Sequence, residues 1–82
     1  MRVRILYFAA TREAVGFSEE ERELPETIAT VADFAQFVAS VHLTLASRMG
    51  SVRIARNERF AEPSERIEEG DVLALIPPVA GG

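Results

Sequence analysis

Glu69-Gly70-Asp71-Val72-Leu73-Ala74-Leu75-Ile76-Pro77-Pro78-Val79-Ala80-Gly81-Gly82 ends the sequence, and its reading decides the fold. Glu69-Gly70-Asp71 is a tight-turn signal. Val72 to Ile76 is the most apolar strand of the chain, and its weak alternation places it in the middle of a sheet. Pro77 and Pro78 then remove backbone donors and fix φ, so the chain leaves the sheet extended. Small residues follow and end in Gly81-Gly82, a shape able to thread a narrow channel with backbone approached closely on every side. The expected division is a body over 1–76 and an extended tail over 77–82 with a flexible Gly-Gly end.

The stretch before this strand reads as its scaffold. Val31, Phe34, Val38, Val41 and Leu45 recur at helical spacing and predict one apolar helix face. Thr30 is placed to cap the helix, with Asp33 completing a box-like signal and favouring the positive end of the dipole. Regular helix is expected to end near Val41 or His42, followed by an irregular turn to Gly50. Val52-Arg53-Ile54-Ala55-Arg56 alternates as a strand, Asn57-Glu58 is a turn, and Pro63-Ser64 marks another.

At the other end, Val3-Arg4-Ile5-Leu6-Tyr7-Phe8-Ala9 is rich in β-branched and aromatic residues and predicts the first strand. Strand parity sends Val3, Ile5 and Tyr7 to the core and leaves Arg2, Arg4 and Phe8 on the opposite face. Gly16 punctuates a turn, and Phe17 to Leu24 returns as an antiparallel partner ended by Pro25. The acidic run Glu19-Glu20-Glu21 marks this partner as an exposed edge, where charge discourages stray pairing. Strand, strand, helix, strand, short element, strand is an α+β order, with one helix burying one sheet face.

Composition narrows the chemistry. At 82 residues and 48% hydrophobic content the chain is a single globular domain. No cysteine is present, which excludes disulfides, thiolate metal sites and a cysteine-bound persulfide. A net charge of −4 with scattered arginines serves neither nucleic acid nor an anionic membrane. All nine cationic side chains are arginine, in keeping with codon usage or thermal adaptation, so lysine-based Schiff-base or general-base chemistry is excluded. The apolar start stops at Thr11-Arg12 after about six residues, short of the roughly 7–15 of an export signal. No stretch reaches membrane-spanning length, and the expected location is the cytoplasm.

With these elements in place, the chain resembles a known family: the small subunit of molybdopterin synthase, among the ubiquitin-like (β-grasp) sulfur carriers. The residues that carry the resemblance are Val3 to Ala9 with Arg12-Glu13-Ala14-Val15-Gly16, Asn57, and Glu69-Gly70-Asp71-Val72 through Gly82. Thiamine-pathway carriers look similar but tend to be shorter and usually lack the Pro-Pro, so residues 43–51 and Pro77-Pro78 tilt the choice to molybdopterin. Departures are mild: no lysine near the start, and Ile76 where an aromatic is common.

The resemblance implies a β-grasp fold, a mixed sheet packed on one main helix. It also implies that Gly82 is the working residue. An activating adenylyltransferase of the ubiquitin-activating kind, using ATP and Mg²⁺, would convert the Gly82 carboxylate to an acyl-adenylate. A persulfide on a sulfurtransferase or cysteine desulfurase would then displace AMP and leave a thiocarboxylate. The tail, Pro78, Val79, Ala80 and Gly81, would insert into the large subunit, and the sulfur would pass to a cyclic pyranopterin precursor to build a dithiolene. No cofactor is expected on this chain, and catalytic side chains are expected on the partners.

Other candidates are weighed on their residues. His42, the single histidine, is expected as a helix-end boundary residue and not a base. Ser18, Ser40, Ser47, Ser51 and Ser64 lack any triad-like context, and no metal ligand set is present. The acidic run Glu19 to Glu23 reads as a solvated strand in preference to a docking surface. Phe8 and Ile76 fall by parity on the open sheet face beside the tail, with Phe60 on a neighbouring element. They form an expected partner patch, against the alternative of a second minor core. Two readings from other classes stay open: a plain ubiquitin-like interaction module, and a modifier that forms isopeptides with lysines on other proteins.

Overall fold

The structure, a computed structural model, describes residues 1–78. Its strands are β1 (Arg2–Tyr7), β2 (Glu19–Glu23), β3 (Arg53–Arg56), β4 (Arg59–Phe60) and β5 (Val72–Ile76), and its helices are α1 (Ala10–Val15) and α2 (Val31–Val41). The five strands form one sheet in the order β2-β1-β5-β3-β4. β1 runs antiparallel to β2 and parallel to β5, while β3 is antiparallel to both β5 and β4. The most apolar strand thus lies at the centre, and the sheet is mixed, as a β-grasp requires.

Pleating does the sorting. Val3, Ile5 and Tyr7 of β1 and Leu73 and Leu75 of β5 are buried together under α2, which contributes Val31, Phe34 and Val38. Each large apolar side chain buried there is worth about 1.5–3 kcal/mol. Thr30 and Asp33 start α2 with a full capping box: the Thr30 hydroxyl accepts from the Asp33 N–H at 3.2 Å, and the Asp33 carboxylate accepts from the Thr30 N–H at 3.1 Å. A second N–H, from Ala29, reaches the same carboxylate at 3.0 Å. The two backbone donors hold the Asp33 carboxyl below its ordinary range.

Three details depart from the sequence reading. Ala10–Val15 is a short helix closed by a left-handed Gly16 (φ 92°), whose N–H returns to the Arg12 carbonyl at 2.9 Å. Only Thr11 of α1 is buried, so the segment carries no apolar period to reveal it. Val41, expected on the buried stripe, is 37% exposed because α2 ends there. Leu45 reaches the core instead through a separate 3₁₀ turn, Leu43–Leu45. Regular pairing of β2 covers Glu19–Glu23 and not the whole of 17–24.

Polar ties lock both ends of the sheet. Glu20 on β2 is not simply solvated: one carboxylate oxygen accepts the Tyr7 hydroxyl at 2.5 Å and lies 2.9 Å from His42 Nε2, and the other accepts Arg22 Nε at 3.2 Å. His42, at the end of α2 as expected, stacks edge-on against Tyr7 and Phe17 at centroid distances of 5.7 and 5.8 Å. Burial, and then the bond to Glu20, push the Tyr7 phenol far above its ordinary pKa. On Glu20, burial opposes ionisation, but the bonds from Tyr7 and His42 and the Arg22 charge outweigh it and lower the carboxyl. At the other end, Asp71 accepts Arg56 Nε at 2.6 Å, the Glu68 N–H at 2.8 Å and Asn57 Nδ2 at 2.9 Å. There too burial is overcome, by Arg56 first, and the carboxyl is lowered.

Both carboxylates have folded-state pKa values below their ordinary 4.5 and 3.8. Their stabilisation is therefore complete above those values and is lost as pH falls below them and through the lower folded values. Denaturant midpoints should be flat near neutrality and fall steeply below about pH 4.5. Glu20→Gln and Asp71→Asn should each flatten that acid limb. Separately, Glu20→Ala strands the buried Tyr7 hydroxyl and should lower stability by about 1–3 kcal/mol at neutral pH.

Candidate functional site

The face of the sheet opposite α2 has no element laid across it among the described residues. The parity that buries Ile5, Tyr7, Leu73 and Leu75 sends Leu6, Val72, Ala74 and Ile76 to this side. There, with Phe8, Ala55, Glu58 and Phe60, they line a shallow apolar depression of about 210 Å³. Phe8 is 47% exposed and Phe60 54%, so both rings stand in solvent at its rim.

Local backbone puts each ring in place. Phe8 follows β1 directly, and its N–H still bonds the Leu75 carbonyl at 3.3 Å. Ala9 then adopts φ 49°, which turns the chain sharply into α1. Thr11 fixes that corner from inside: its hydroxyl donates to the Phe8 carbonyl at 2.7 Å. Phe60 is set by the β3–β4 hairpin, where Asn57 and Glu58 both take positive φ (51° and 71°) and make the tight turn expected of them. Pairing of Ala55 with Phe60 lays the ring beside the depression. Asn57 anchors the turn to β5, accepting the Val72 N–H through its side chain at 2.9 Å and donating its own N–H to the Val72 carbonyl at 2.8 Å.

Phe8, Phe60 and Ile76, three separate points in the sequence, are thus brought to one depression. Leu6, Ala55, Val72 and Ala74 line it as well. Alternation against Ile5 and Tyr7, and against Leu73 and Leu75, was the signal that could have found Leu6, Val72 and Ala74. Ile76 is the last residue of β5, and the chain leaves it into Pro77 and Pro78. These prolines line a second, smaller hollow with Ala10, Thr11, Arg48, Ser51 and Val52. Pro78 is exposed; Val79, Ala80, Gly81 and Gly82 lie outside the described residues. No group of three or more His, Cys, Asp or Glu side chains is placed to hold a metal ion among the described residues. No helix there is long and apolar enough to cross a membrane. The arrangement offers an apolar surface beside the point where the chain leaves the sheet.

Comparison with known proteins agrees in outline. The sequence model of the ThiS family matches residues 5–82. A Chlamydomonas reinhardtii protein named molybdopterin synthase sulfur carrier subunit is 36% identical over the whole of both chains. Among solved structures, the H. volcanii small archaeal modifier protein 1 is 28% identical with a TM-score of 0.82, covering 95% of this chain and 98% of that one. A Caldiarchaeum subterraneum ubiquitin, 22% identical, shares the fold with a TM-score of 0.65 over 100% of this chain and 98% of its own.

If the open face is a docking surface, Phe8→Ser should weaken binding to a tail-accepting partner about tenfold or more, since a large apolar side chain buried at an interface is worth about 1.5–3 kcal/mol. Its denaturation midpoint should move by no more than about 0.5 kcal/mol equivalent. Phe34→Ala, in the fully buried core, should instead cost about 3–5 kcal/mol of stability. Severe unfolding by Phe8→Ser would assign that ring to a core and remove it from the surface.

Proposed function

This chain belongs to the ThiS family of sulfur carriers, and we propose that it is the carrier subunit of a cytoplasmic molybdopterin synthase. The observation that carries the reading is the full-length similarity to a protein of that name. It is supported by the apolar depression on β5, the strand that runs without a linker into Pro77-Pro78 and the Gly-Gly end.

On this reading the Gly82 carboxylate is the reacting group. A carboxylate resists nucleophiles because its leaving group would be oxide, so it must first be activated. An adenylating enzyme holding ATP and Mg²⁺ supplies that step: the carboxylate attacks the α-phosphate, pyrophosphate leaves, and an acyl-adenylate forms. A sulfurtransferase persulfide displaces AMP, and a thiol cleaves the resulting acyl disulfide, leaving a thiocarboxylate on Gly82. Its sulfur stays anionic at neutral pH and is a good nucleophile. The large subunit receives the tail, and sulfur passes to a cyclic pyranopterin precursor to form the dithiolene. The spent carboxylate returns for recharging. This chain's own residues bind and position: Phe8, Phe60 and Ile76 dock, Pro78 to Gly81 reach, and general acids and bases belong to the partners.

A second reading, attachment to lysines of other proteins, is favoured by the likeness to the small archaeal modifier protein 1. The chain itself contains no lysine to act as an acceptor side chain.

The intact mass of the protein from its own cells separates these readings. Carriage predicts a form with one oxygen replaced by sulfur, mapped to Gly82; conjugation predicts Gly82 in isopeptide linkage. Deleting Gly82, or adding one residue after it, should abolish ATP-dependent adenylation and sulfur transfer and leave the denaturation midpoint unchanged. Persistence of both activities in the extended protein overturns the carrier reading. Thiocarboxylated protein with a molybdopterin synthase large subunit should convert the precursor, and a thiamine thiazole system should not accept it. The reverse preference moves the assignment to the thiamine branch.

A further inference from the structure

Acidic side chains outnumber basic ones in this chain, thirteen to nine, and several arginines are tied to carboxylates. Arg4 meets Glu19 and Glu21, Arg22 meets Glu20, and Arg56 meets Glu65, Glu68 and Asp71. Arg53 is held differently. Its guanidinium carbon lies 3.8 Å from the centroid of the Phe60 ring, and among the described residues it forms no ion pair and donates no side-chain hydrogen bond. Arg53 opens β3 and pairs in register with Ile76, the last residue before Pro77. It therefore stands between an exposed ring of the apolar depression and the point where the chain leaves the sheet.

Stacking occupies one face of the guanidinium and leaves its planar edge of N–H donors open. A protein that covers Phe60 and Ile76 removes water from that edge as well. Burying a cation without a counter-ion is costly, and the cost is relieved only by a hydrogen-bonded anion at the same place. Because Phe60 already restricts the side chain, less rotamer freedom remains to be lost on pairing. Arginine and aromatic side chains are also among the residue types in which binding energy concentrates at protein interfaces.

We infer that Arg53 is a partner-recognition residue: its Phe60-stacked guanidinium receives an Asp or Glu carboxylate of the protein that takes the tail, at the lip of the channel. Arg48 lines the second hollow with Pro77 and Pro78. The inference rests on the carrier reading for the identity of that protein, the molybdopterin synthase large subunit. It fixes two properties of the surface: an apolar contact for the depression and an acidic side chain next to it.

The test is the affinity of the full-length chain for the large subunit of the same organism, at low and at high salt, for wild type, Arg53→Lys, Arg53→Leu, Arg53→Glu and Phe8→Ser. Wild type should weaken with salt. Arg53→Glu should bind about tenfold or more weaker, Arg53→Leu should lose most of the salt dependence, and Arg53→Lys should fall between wild type and Arg53→Leu. Denaturation midpoints should not move for any Arg53 variant. A reversed charge at one acidic position of the large subunit should restore binding to Arg53→Glu. Binding of Arg53→Glu and Arg53→Leu within about twofold of wild type, with Phe8→Ser impaired, overturns the inference and leaves the carrier reading standing. Loss of binding by Arg53→Glu that no partner charge reversal restores, with precursor turnover collapsing in parallel, assigns the arginine to an anionic substrate and also overturns it. Failure of the wild type to bind the large subunit removes both.

Discussion

A pleated strand sends successive side chains to opposite faces, and among the described residues there is one long helix, α2, with which to cover them. Everything else in the structure follows from that shortage. Val3, Ile5 and Tyr7, with Leu73 and Leu75, take the covered side; Leu6, Phe8, Val72, Ala74 and Ile76 must take the other. A slip of one residue in either central strand would exchange these sets and put Leu6 and Ala74 under α2 in place of Ile5 and Leu73. The parallel pairing of Ile5 with Leu73 and Tyr7 with Leu75 makes the two registers mutually dependent. The open apolar face is therefore a built-in consequence of the core, present before any partner arrives.

The polar residues hold that geometry without competing for the face. Glu20 ties β2 to β1 through Tyr7 and to the end of α2 through His42. Asp71 ties the start of β5 to the β3–β4 hairpin through Arg56 and Asn57. A carboxylate withdrawn from water is costly unless satisfied, and each of these has three polar partners within hydrogen-bond distance. On the outer edge, Glu19, Glu21 and Glu23 point away from the core and charge a strand that would otherwise invite pairing with another chain. The depression is left with Glu58 as its one carboxylate side chain, at a turn residue forced into positive φ.

Most of this was readable from periodicity, because period 2 in β1 and the helical spacing in α2 report burial directly. Val3, Ile5 and Tyr7, the Thr30–Asp33 cap, the central place of Val72 to Ile76, and the common face of Phe8 and Ile76 all rest on such spacing. What escaped had no period. α1 buries only Thr11 and is held by a hydroxyl-to-carbonyl bond and a left-handed glycine, signals too local to separate a helix from a turn. Val41 kept the right spacing and lost its burial because the helix stopped beneath it. The Glu20 and Asp71 networks join residues far apart in sequence, and no count of charges distinguishes a glutamate that accepts a buried phenol from its solvated neighbours. Arg53 was legible as a strand residue only; its stacking on Phe60 needs the hairpin to form.

The central strand joins the apolar depression to the tail, and on the proposed carrier reading this limits where sulfur can be delivered. Val72, Ala74 and Ile76 line the depression, and the next residue, Pro77, already belongs to the exit. No linker separates contact from reach. Gly82 lies six residues beyond Ile76, and six residues cannot span more than about 20 Å even when fully extended. A partner seated on Phe8, Phe60 and Ile76 must therefore place its reacting centre within that radius of the sheet edge. Fixed φ at Pro77 and Pro78 narrows the directions available within that radius. A flexible linker of the same reach would spread the terminus over the whole sphere and dilute it at the target. An inserted Gly-Ser pair after Ile76 lengthens the reach and relaxes the direction while leaving the residues of the depression in place. Partner affinity should then be nearly unchanged while the rate of sulfur transfer falls, a separation that a simple loss of docking cannot produce. Equal transfer rates for the inserted and native chains would show that the prolines only space the terminus and do not aim it.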